Sequence, residues 1–184
     1  MVYKEIIEGK TISLRSTIID DAAFIIDIRN DNEKSKYVHP VDNDIDAEIE
    51  WIREQRKREG DYFFTIIRNS DGALLGNVGV CNIDINSRCG ELGRWVSYGT
   101  AVENLETIIA VHDFAFSVLG LEQLYTKTLS GNKSVVNFWK RFGGTGEEKS
   151  FDGISYYYNV ITAGIYENQV RKLNNELLMK VVKV

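Results

Sequence analysis

Residues 90–144 constrain this chain more than any other stretch, because they read as strand, abrupt loop, amphipathic helix, second strand and an Asn-led helix in direct succession. The first strand is Glu91-Leu92-Gly93-Arg94-Trp95-Val96-Ser97, and the loop after it is Tyr98-Gly99-Thr100-Ala101-Val102-Glu103. A helix then runs from Asn104 to Leu119 and stops at Gly120, a residue type that favours helix C-termini. Residues 123–130 form the second strand, and Gly131-Asn132 leads into a helix that ends at Phe142-Gly143-Gly144. A strand that delivers the chain onto a helix N-terminus presents backbone N–H groups and the helix dipole to an anion such as a phosphate.

The remainder supplies partners for these elements. Thr11-Ile12-Ser13-Leu14-Arg15 alternates with period two, as a strand does. Asp20-Asp21 give an acidic start to an apolar helix from Ala22 to about Arg29-Asn30-Asp31, and residues 32–46 read as a surface loop. Asp46 is placed to cap a second helix, 47–58, with Ile49, Trp51 and Ile52 on one side and Arg53, Arg56, Lys57 and Arg58 on a solvated charged face. Residues 62–68 are an aromatic and β-branched strand closed by Asn69-Ser70-Asp71-Gly72, and 74–85 pair back as a hairpin in which Gly76 and Gly79 admit a bulge or a close neighbour. A second hairpin around Asn86-Ser87 sets Cys89 opposite Asp84 and Cys81 opposite Leu92, so the two cysteines are expected to stay reduced. Residues 155–161 make a last strand. Tyr166 to Val182 make a helix with Val170, Leu173, Leu177 and Leu178 on one side.

The sum is an α+β domain, one mixed and mostly antiparallel sheet of about seven strands flanked by helices. The 184 residues fit a single domain, 1–184, with a core over 11–164 and a C-terminal helix over 165–182. A formal charge of −5 argues against a broad nucleic-acid face. No run approaches the roughly 18 apolar residues of a membrane span, and the first residues lack the apolar centre of a signal peptide, so a cytoplasmic location is expected. His39 and His112 are isolated and the cysteines lack ligand spacing, so no metal site is expected.

The order of elements, Arg29-Asn30-Asp31, Gly90-Glu91-Leu92-Gly93 with Trp95-Val96, Asp113-Phe114-Ala115-Phe116 with Leu119-Gly120-Leu121, and Asn132-x-Ser134 to Arg141-Phe142-Gly143 together carry a resemblance. Over residues 11–164 the chain resembles the GNAT superfamily of acyl-CoA-dependent N-acyltransferases. Within it the chain looks closest to the branch of ribosomal-protein N-acetyltransferases and enzymes that acetylate nucleotide-linked amino sugars. The resemblance implies acetyl-CoA as co-substrate, met by Trp95, Val96, Ser97, Gly99, Thr100, Ala101, Val102, Asn104 and Asn132. It also implies that the two central strands splay apart and leave backbone N–H groups near residues 95–97 free. Glu91 is then the candidate general base, with a solvated or salt-bridged strand carboxylate as its other reading. Strand alternation would put Glu91, Gly93, Trp95 and Ser97 on one face and Arg94 on the other.

Ser134 is a candidate catalytic hydroxyl or a packing residue. Asn132 caps its helix and reaches the pantetheine. Arg29, Asn30 and Arg94 are candidate acceptor contacts, although Arg94 could equally pair with a carboxylate. The pattern departs from the family in two places. The loop after residue 97 carries Thr100 and Val102 where members have glycines and is about two residues short of the family's spacing, with Glu103 where a diphosphate would arrive. Trp139 stands where many members have a tyrosine that protonates the leaving thiolate, and an indole N–H has no useful acidity. The resemblance implies an N-acetyltransferase acting on a primary amine, with a nucleotide-linked amino sugar as the favoured acceptor and a protein N-terminus as the other. A binding or regulatory protein that has lost catalysis is the competing reading. The chain is expected to be a monomer or homodimer.

Overall fold

The computed structural model describes residues 2–182. Eight strands form one sheet in the order β1-β2-β3-β4-β5-β6-β8-β7: β1 Ile7–Glu8, β2 Ile12–Ser16, β3 Tyr62–Arg68, β4 Leu74–Asp84, β5 Cys89–Ser97, β6 Gln123–Leu129, β7 Thr145–Phe151 and β8 Ile154–Thr162. Every neighbouring pair is antiparallel except β5 and β6. That parallel pair follows from the connection between them, since a crossover helix returns the chain to the edge it left. The helix is α3, Ala101–Asp113, extended by a wider turn over Phe114–Val118.

The count is close to the expected seven, and two of the eight strands, which the sequence does not mark, carry no alternating apolar signal. The two-residue β1 only extends the sheet beyond β2. Thr145–Phe151 is an edge strand with almost every side chain exposed, so it lacks the buried face by which strands are recognised. Its position is fixed by Asp152-Gly153, whose φ values of 49° and 78° make the two-residue turn that a right-twisted hairpin prefers.

Two clusters cover the two faces. Helices α1, Ala22–Asn30, and α2, Ile45–Lys57, enclose Ala22, Ile25, Ile52 and Phe63. The opposite face is larger and takes α3, α4 (Lys133–Phe142) and the C-terminal helix, with Phe64, Ile66, Val78, Leu92, Ile108, Phe114 and Trp139 among its buried members. Asp44, not Asp46, caps α2, accepting the Ala47 N–H at 3.0 Å. Two acidic residues were available two positions apart, and helix start depends on which reaches the third amide. Glu106 fastens α3 to the sheet by accepting the N–H groups of Lys10 at 2.5 Å and Thr11 at 2.8 Å.

The C-terminal segment starts at Ala163, just after β8, and passes through a wide turn at Tyr166–Val170 into α5, Arg171–Val182. Its inward face is Val170, Asn174 and Leu178, whereas Leu173 and Leu177 are exposed, contrary to the expected stripe. The wide turn shifts the helix phase, and Asn174 takes the inward place by donating to the carbonyls of Phe142 and Val170 at 3.1 and 2.8 Å. Tyr166 and Arg171 both donate to Asp113, at 2.9 and 2.7 Å, which seats this helix on α3.

Candidate active site

The site begins with a failure of pairing. Strands β5 and β6 pair over Cys89↔Gln123, Gly90↔Leu124 and Glu91↔Tyr125, and no further. From Leu92 to Ser97, β5 keeps a partner only in β4, and from Thr126 to Leu129, β6 keeps one only in β8. A V-shaped gap opens between two parallel strands, and a cleft of about 550 Å³ occupies it. A larger hollow of about 780 Å³ lies along the outside of the C-terminal segment, lined by residues 167–180 alone. It is a trough on one helix rather than an enclosure between elements, so the gap in the sheet is the candidate site.

A bulge in β5 decides which side chains reach the gap from which side. Between Gly79↔Gly93 and Asn77↔Val96, β5 advances three residues while β4 advances two. The extra residue is Arg94, at φ 53°. The regular alternation expected for 91–97 is therefore broken: Trp95 turns to the face of Leu92 and packs on Phe138 and Trp139 of α4, at centroid distances of 5.3 and 6.0 Å. Arg94 lies on the other face, over Trp51 and Phe63, where it donates to both oxygens of Asp61 at 2.6 and 2.9 Å. Of the two readings for Arg94, the ion pair is the one formed. A further irregularity at Asn82, φ 50°, sets Cys81 opposite Glu91 instead of Leu92, while Asp84 faces Cys89 as expected. Both thiols are free, and burial pushes Cys81 up to about 11.

Glu91 lines the cleft on the side of Arg94. Its Oε2 accepts from Asn82 Nδ2 at 2.9 Å and from Lys127 Nζ at 3.2 Å. The Tyr125 phenol directly across the pairing is pushed far up by its burial and by the Glu91 charge, so it stays protonated. Arg29 also lines the cleft, and its guanidinium donates to the His39 carbonyl at 3.2 and 2.5 Å. Among the described residues Arg29 makes no ion pair. Burial lowers its pKa, against the nearby Glu48 charge. The segment between α1 and α2 supplies Tyr37, Val38 and His39 to the wall. It is held by Asn30 Oδ1 accepting from Val41 N at 3.2 Å and by Ser35 Oγ donating to the Ile28 carbonyl at 2.5 Å. Asn30 thus braces this wall and does not line it.

On the α4 side, Asn132 caps the helix by accepting from Val135 N at 3.3 Å and lines the cleft with Val135 and Trp139. Trp139 is 2% exposed and fills the core beneath. Ser134 is exposed at the start of α4 and is not among the residues lining the cleft. Residues the sequence reading missed are Thr126, Lys127 and Thr128 of β6, Tyr37 and His39, and Phe151 and Tyr156 of the β7–β8 hairpin. Nothing in the spacing of β6 marks which residue is the first beyond the last paired one.

The connection after β5 is tighter than expected, because α3 begins at Ala101, not Asn104. Thr100 is its cap: its hydroxyl accepts from Glu103 N at 3.3 Å, and the Glu103 carboxylate accepts from Thr100 N at 2.7 Å. Arg68 Nε closes the set on Glu103 at 2.7 Å. Burial would raise the Glu103 carboxyl, but Arg68 and the Thr100 N–H bring it below its ordinary value. Thr100 sits at φ −63°, and no residue from 98 to 104 has positive φ, so this turn needs no glycine beyond Gly99. Glu103 is turned into the capping box and Arg68 and does not line the cleft. Asn104 donates to the Gly99 carbonyl at 2.8 Å, Ala101 is exposed, and Ser97 Oγ accepts from Gly99 N at 2.9 Å. Val96 is buried opposite Asn77.

The residues present fit an acyl-pantetheine arm. Beyond Glu91 the β6-facing edge of β5 has no strand to bond, and two buried side-chain atoms of the cleft-lining residues, Trp95 Nε1 and Thr126 Oγ1, have no partner among the described residues. Among the described residues no group of three or more His, Cys, Asp or Glu side chains could hold a metal ion. No helix there is long and apolar enough to cross a membrane.

Residues 11–145 match the family model described as an acetyltransferase (GNAT) domain. No curated protein matches this chain. Among solved structures, apo FdhC, described as a nucleotide-linked sugar GNAT, is 27% identical, with 95% of this chain and 98% of that chain covered and a TM-score of 0.78. The spermidine N-acetyltransferase from Vibrio cholerae in complex with CoA and spermine is 19% identical at a TM-score of 0.76, covering 87% of this chain and 100% of that one. A GCN5-related N-acetyltransferase from Brucella melitensis is 16% identical at a TM-score of 0.76, covering 96% and 86%. With the split sheet, the bulged strand and the family match over 11–145 in hand, the chain belongs to the GNAT acetyltransferase family.

Proposed function

We propose that this protein moves an acetyl group from acetyl-CoA to the primary amine of a nucleotide-linked amino sugar. One observation carries the reading: the cleft passes through the sheet, with Trp95, Val135 and Trp139 on its α4 side and Arg29, Glu91, Arg94 and Lys127 on its α1–α2 side. Two substrates can therefore meet in the gap from opposite faces without sharing a route. Acetyl-CoA supplies an activated acyl carbon. The chain's own residues orient the two partners and take up a proton, which is where proximity and acid–base help arise.

Glu91 is the base in this scheme, accepting the amine's proton directly or through a water. Asn82 and Lys127 fix the carboxylate on the acceptor side of the gap. Asn132, at the cleft-lining start of α4, is assigned to the pantetheine arm, and the diphosphate to the N-terminal amides of α3 beside Gly99, Ala101 and Val102, which stand outside the cleft lining itself. Ser134 lies outside the cleft, and we assign it no part in proton transfer. For the acceptor, Arg29 replaces Arg94 as the cation available to an anionic group, because Asp61 already engages both arms of the Arg94 guanidinium. The likeness to a nucleotide-linked sugar GNAT at 27% identity over nearly the whole chain supports the same acceptor class.

The test is release of free thiol from acetyl-CoA in the presence of nucleotide-linked amino sugars, spermidine, or peptides with free N-termini. Saturable turnover confined to the nucleotide-linked sugars is expected. Turnover with spermidine or peptide alone would move the acceptor class, and no saturable acetyl-CoA binding at all would favour a family member that has lost catalysis.

A further inference from the structure

Among the described residues, five buried side-chain atoms have no hydrogen-bond partner: Asn77 Oδ1, Trp95 Nε1, Asn104 Oδ1, Thr126 Oγ1 and Asn159 Oδ1. The three asparagines each engage the other half of their amide, with the carbonyls of Phe64, Gly99 and Gly143. Trp95 and Thr126 have no second polar atom, so they alone of the five are committed to nothing. They are also the two that line the cleft.

Their positions follow from the two irregularities that make the cleft. Thr126 is the first residue of β6 beyond the last pair, Glu91↔Tyr125, and it shares a face with Leu124, two residues before it, in the α3–α4 core. Trp95 is brought to the same face by the bulge at Arg94. The parted strands therefore each place one side-chain donor on the α4 side of the gap, Thr126 near its apex and Trp95 further out. Around them stand Val135 and Trp139, an apolar surrounding that disfavours a charged ligand. An indole N–H donates only, and a hydroxyl can donate, so an uncharged oxygen acceptor complements both.

We propose that the Trp95 indole N–H and the Thr126 hydroxyl bind the thioester carbonyl oxygen of the acyl donor and hold it in the gap for an amine arriving from the Glu91 side. The inference rests on the acetyl-transfer reading above. In the transfer itself the amine nitrogen forms the new C–N bond, the C–S bond breaks with its electron pair on sulfur, and the amine's proton passes to Glu91. Trp95 and Thr126 keep their protons throughout and act by polarising the carbonyl.

The experiment uses Thr126→Val, Trp95→Phe and the hydroxyl-retaining Thr126→Ser, with titration calorimetry against both acetyl-CoA and CoA, steady-state turnover, and melting of the ligand-free protein. Thr126→Val and Trp95→Phe are expected to weaken acetyl-CoA binding about tenfold, the size of one hydrogen bond, and to lower kcat, while leaving CoA affinity unchanged. Thr126→Ser should restore both. Because the hydroxyl has no protein partner, the ligand-free Thr126→Val protein should melt no lower than the wild type. Unchanged acetyl-CoA affinity and turnover in both variants, or an equal loss for CoA and acetyl-CoA, would overturn the assignment. So would a lower melting temperature with intact affinity. Absence of acetyl-CoA binding by the wild type would instead remove the acetyl-transfer reading and this inference with it.

Discussion

Mild acid should loosen this protein through His112, a residue with no part in the chemistry. It is 1% exposed, with Nδ1 2.7 Å from the Ile108 carbonyl and its ring among Phe116, Trp139, Phe142 and Tyr166. Burial lowers its pKa from 6.5 to about 4, against the opposing pull of the Ile108 carbonyl and Asp113. Between these values the unfolded chain binds a proton that the folded chain refuses, so stability falls as pH drops from about 6.5 and levels off below about 4. The full displacement corresponds to roughly 3 kcal/mol, of which about 2 is lost by pH 5. Urea denaturation of the wild type and His112→Phe, at pH 7 and at pH 5, measures this directly. The variant has no imidazole to charge, so its loss over that interval should be smaller by about 2 kcal/mol. Parallel losses in the two proteins would show that His112 titrates as an ordinary histidine and that the reasoning from burial is wrong.

Glu91→Gln keeps the shape and the Asn82 contact but removes the base, and turnover should fall by about 10²–10⁴ with melting unchanged; full activity would remove Glu91 from the mechanism. Arg29→Met should raise KM for an anionic acceptor by about tenfold to a hundredfold with acetyl-CoA affinity unaltered, as one charge-assisted contact is lost. Gly76→Ala would set a methyl 2.1 Å from the Val96 carbonyl oxygen, closer than any real contact, so β4 and β5 must separate. A loss of at least about 3 kcal/mol by urea titration is expected, and a stable variant would mean that the strands shift cheaply. Thr100→Ala removes the hydroxyl half of the α3 capping box and should cost about 1 kcal/mol in the same assay.

How much could be read from the sequence depended on whether a feature was local. Strand 62–68, the helix from Ala22 and the cap at Asn132 were legible because period, turn residues and capping chemistry lie within a few positions of one another. The edge strand Thr145–Phe151 was not, because an exposed edge needs no apolar alternation, and only Asp152-Gly153 marks its turn. The expected start of α3 at Asn104 lies three residues late, because Thr100 to Glu103 reads as loop when the cap within it is overlooked. A Thr100–Glu103 capping box sits within it, and the pattern Thr-x-x-Glu is its signature. In the site, Glu91 and Asn132 were legible as types at positions. The partner of Arg94 was not: Asp61 is 33 residues away and reaches it only because a one-residue bulge reverses the strand's alternation.

Under the proposed transfer, that bulge would let one strand serve two substrates. Had β5 alternated regularly from Glu91 to Ser97, Trp95 would share the face of Glu91, and the α4 side of the gap would receive Arg94, a charge set against Trp139 with no carboxylate described there. Inserting one residue at Arg94 exchanges the two. The guanidinium goes to Asp61 on the α1–α2 side, and the indole goes to the apolar α4 side. The cost is a positive φ at a non-glycine residue, of order 1 kcal/mol or more, which the bidentate ion pair and the Trp51 and Phe63 rings beneath the guanidinium offset. Charge is thereby sorted across the sheet: Glu91, Arg29, Lys127 and the Arg94–Asp61 pair on the acceptor side, and neutral donors with aromatic rings on the other. Arg94→Gly would keep the backbone conformation without strain but take the guanidinium from the acceptor side and leave Asp61 to Gln55 and Arg58, so the folded variant should retain acetyl-CoA affinity while the acceptor KM rises. Loss of acetyl-CoA affinity with an unchanged acceptor KM would contradict this division of the two faces.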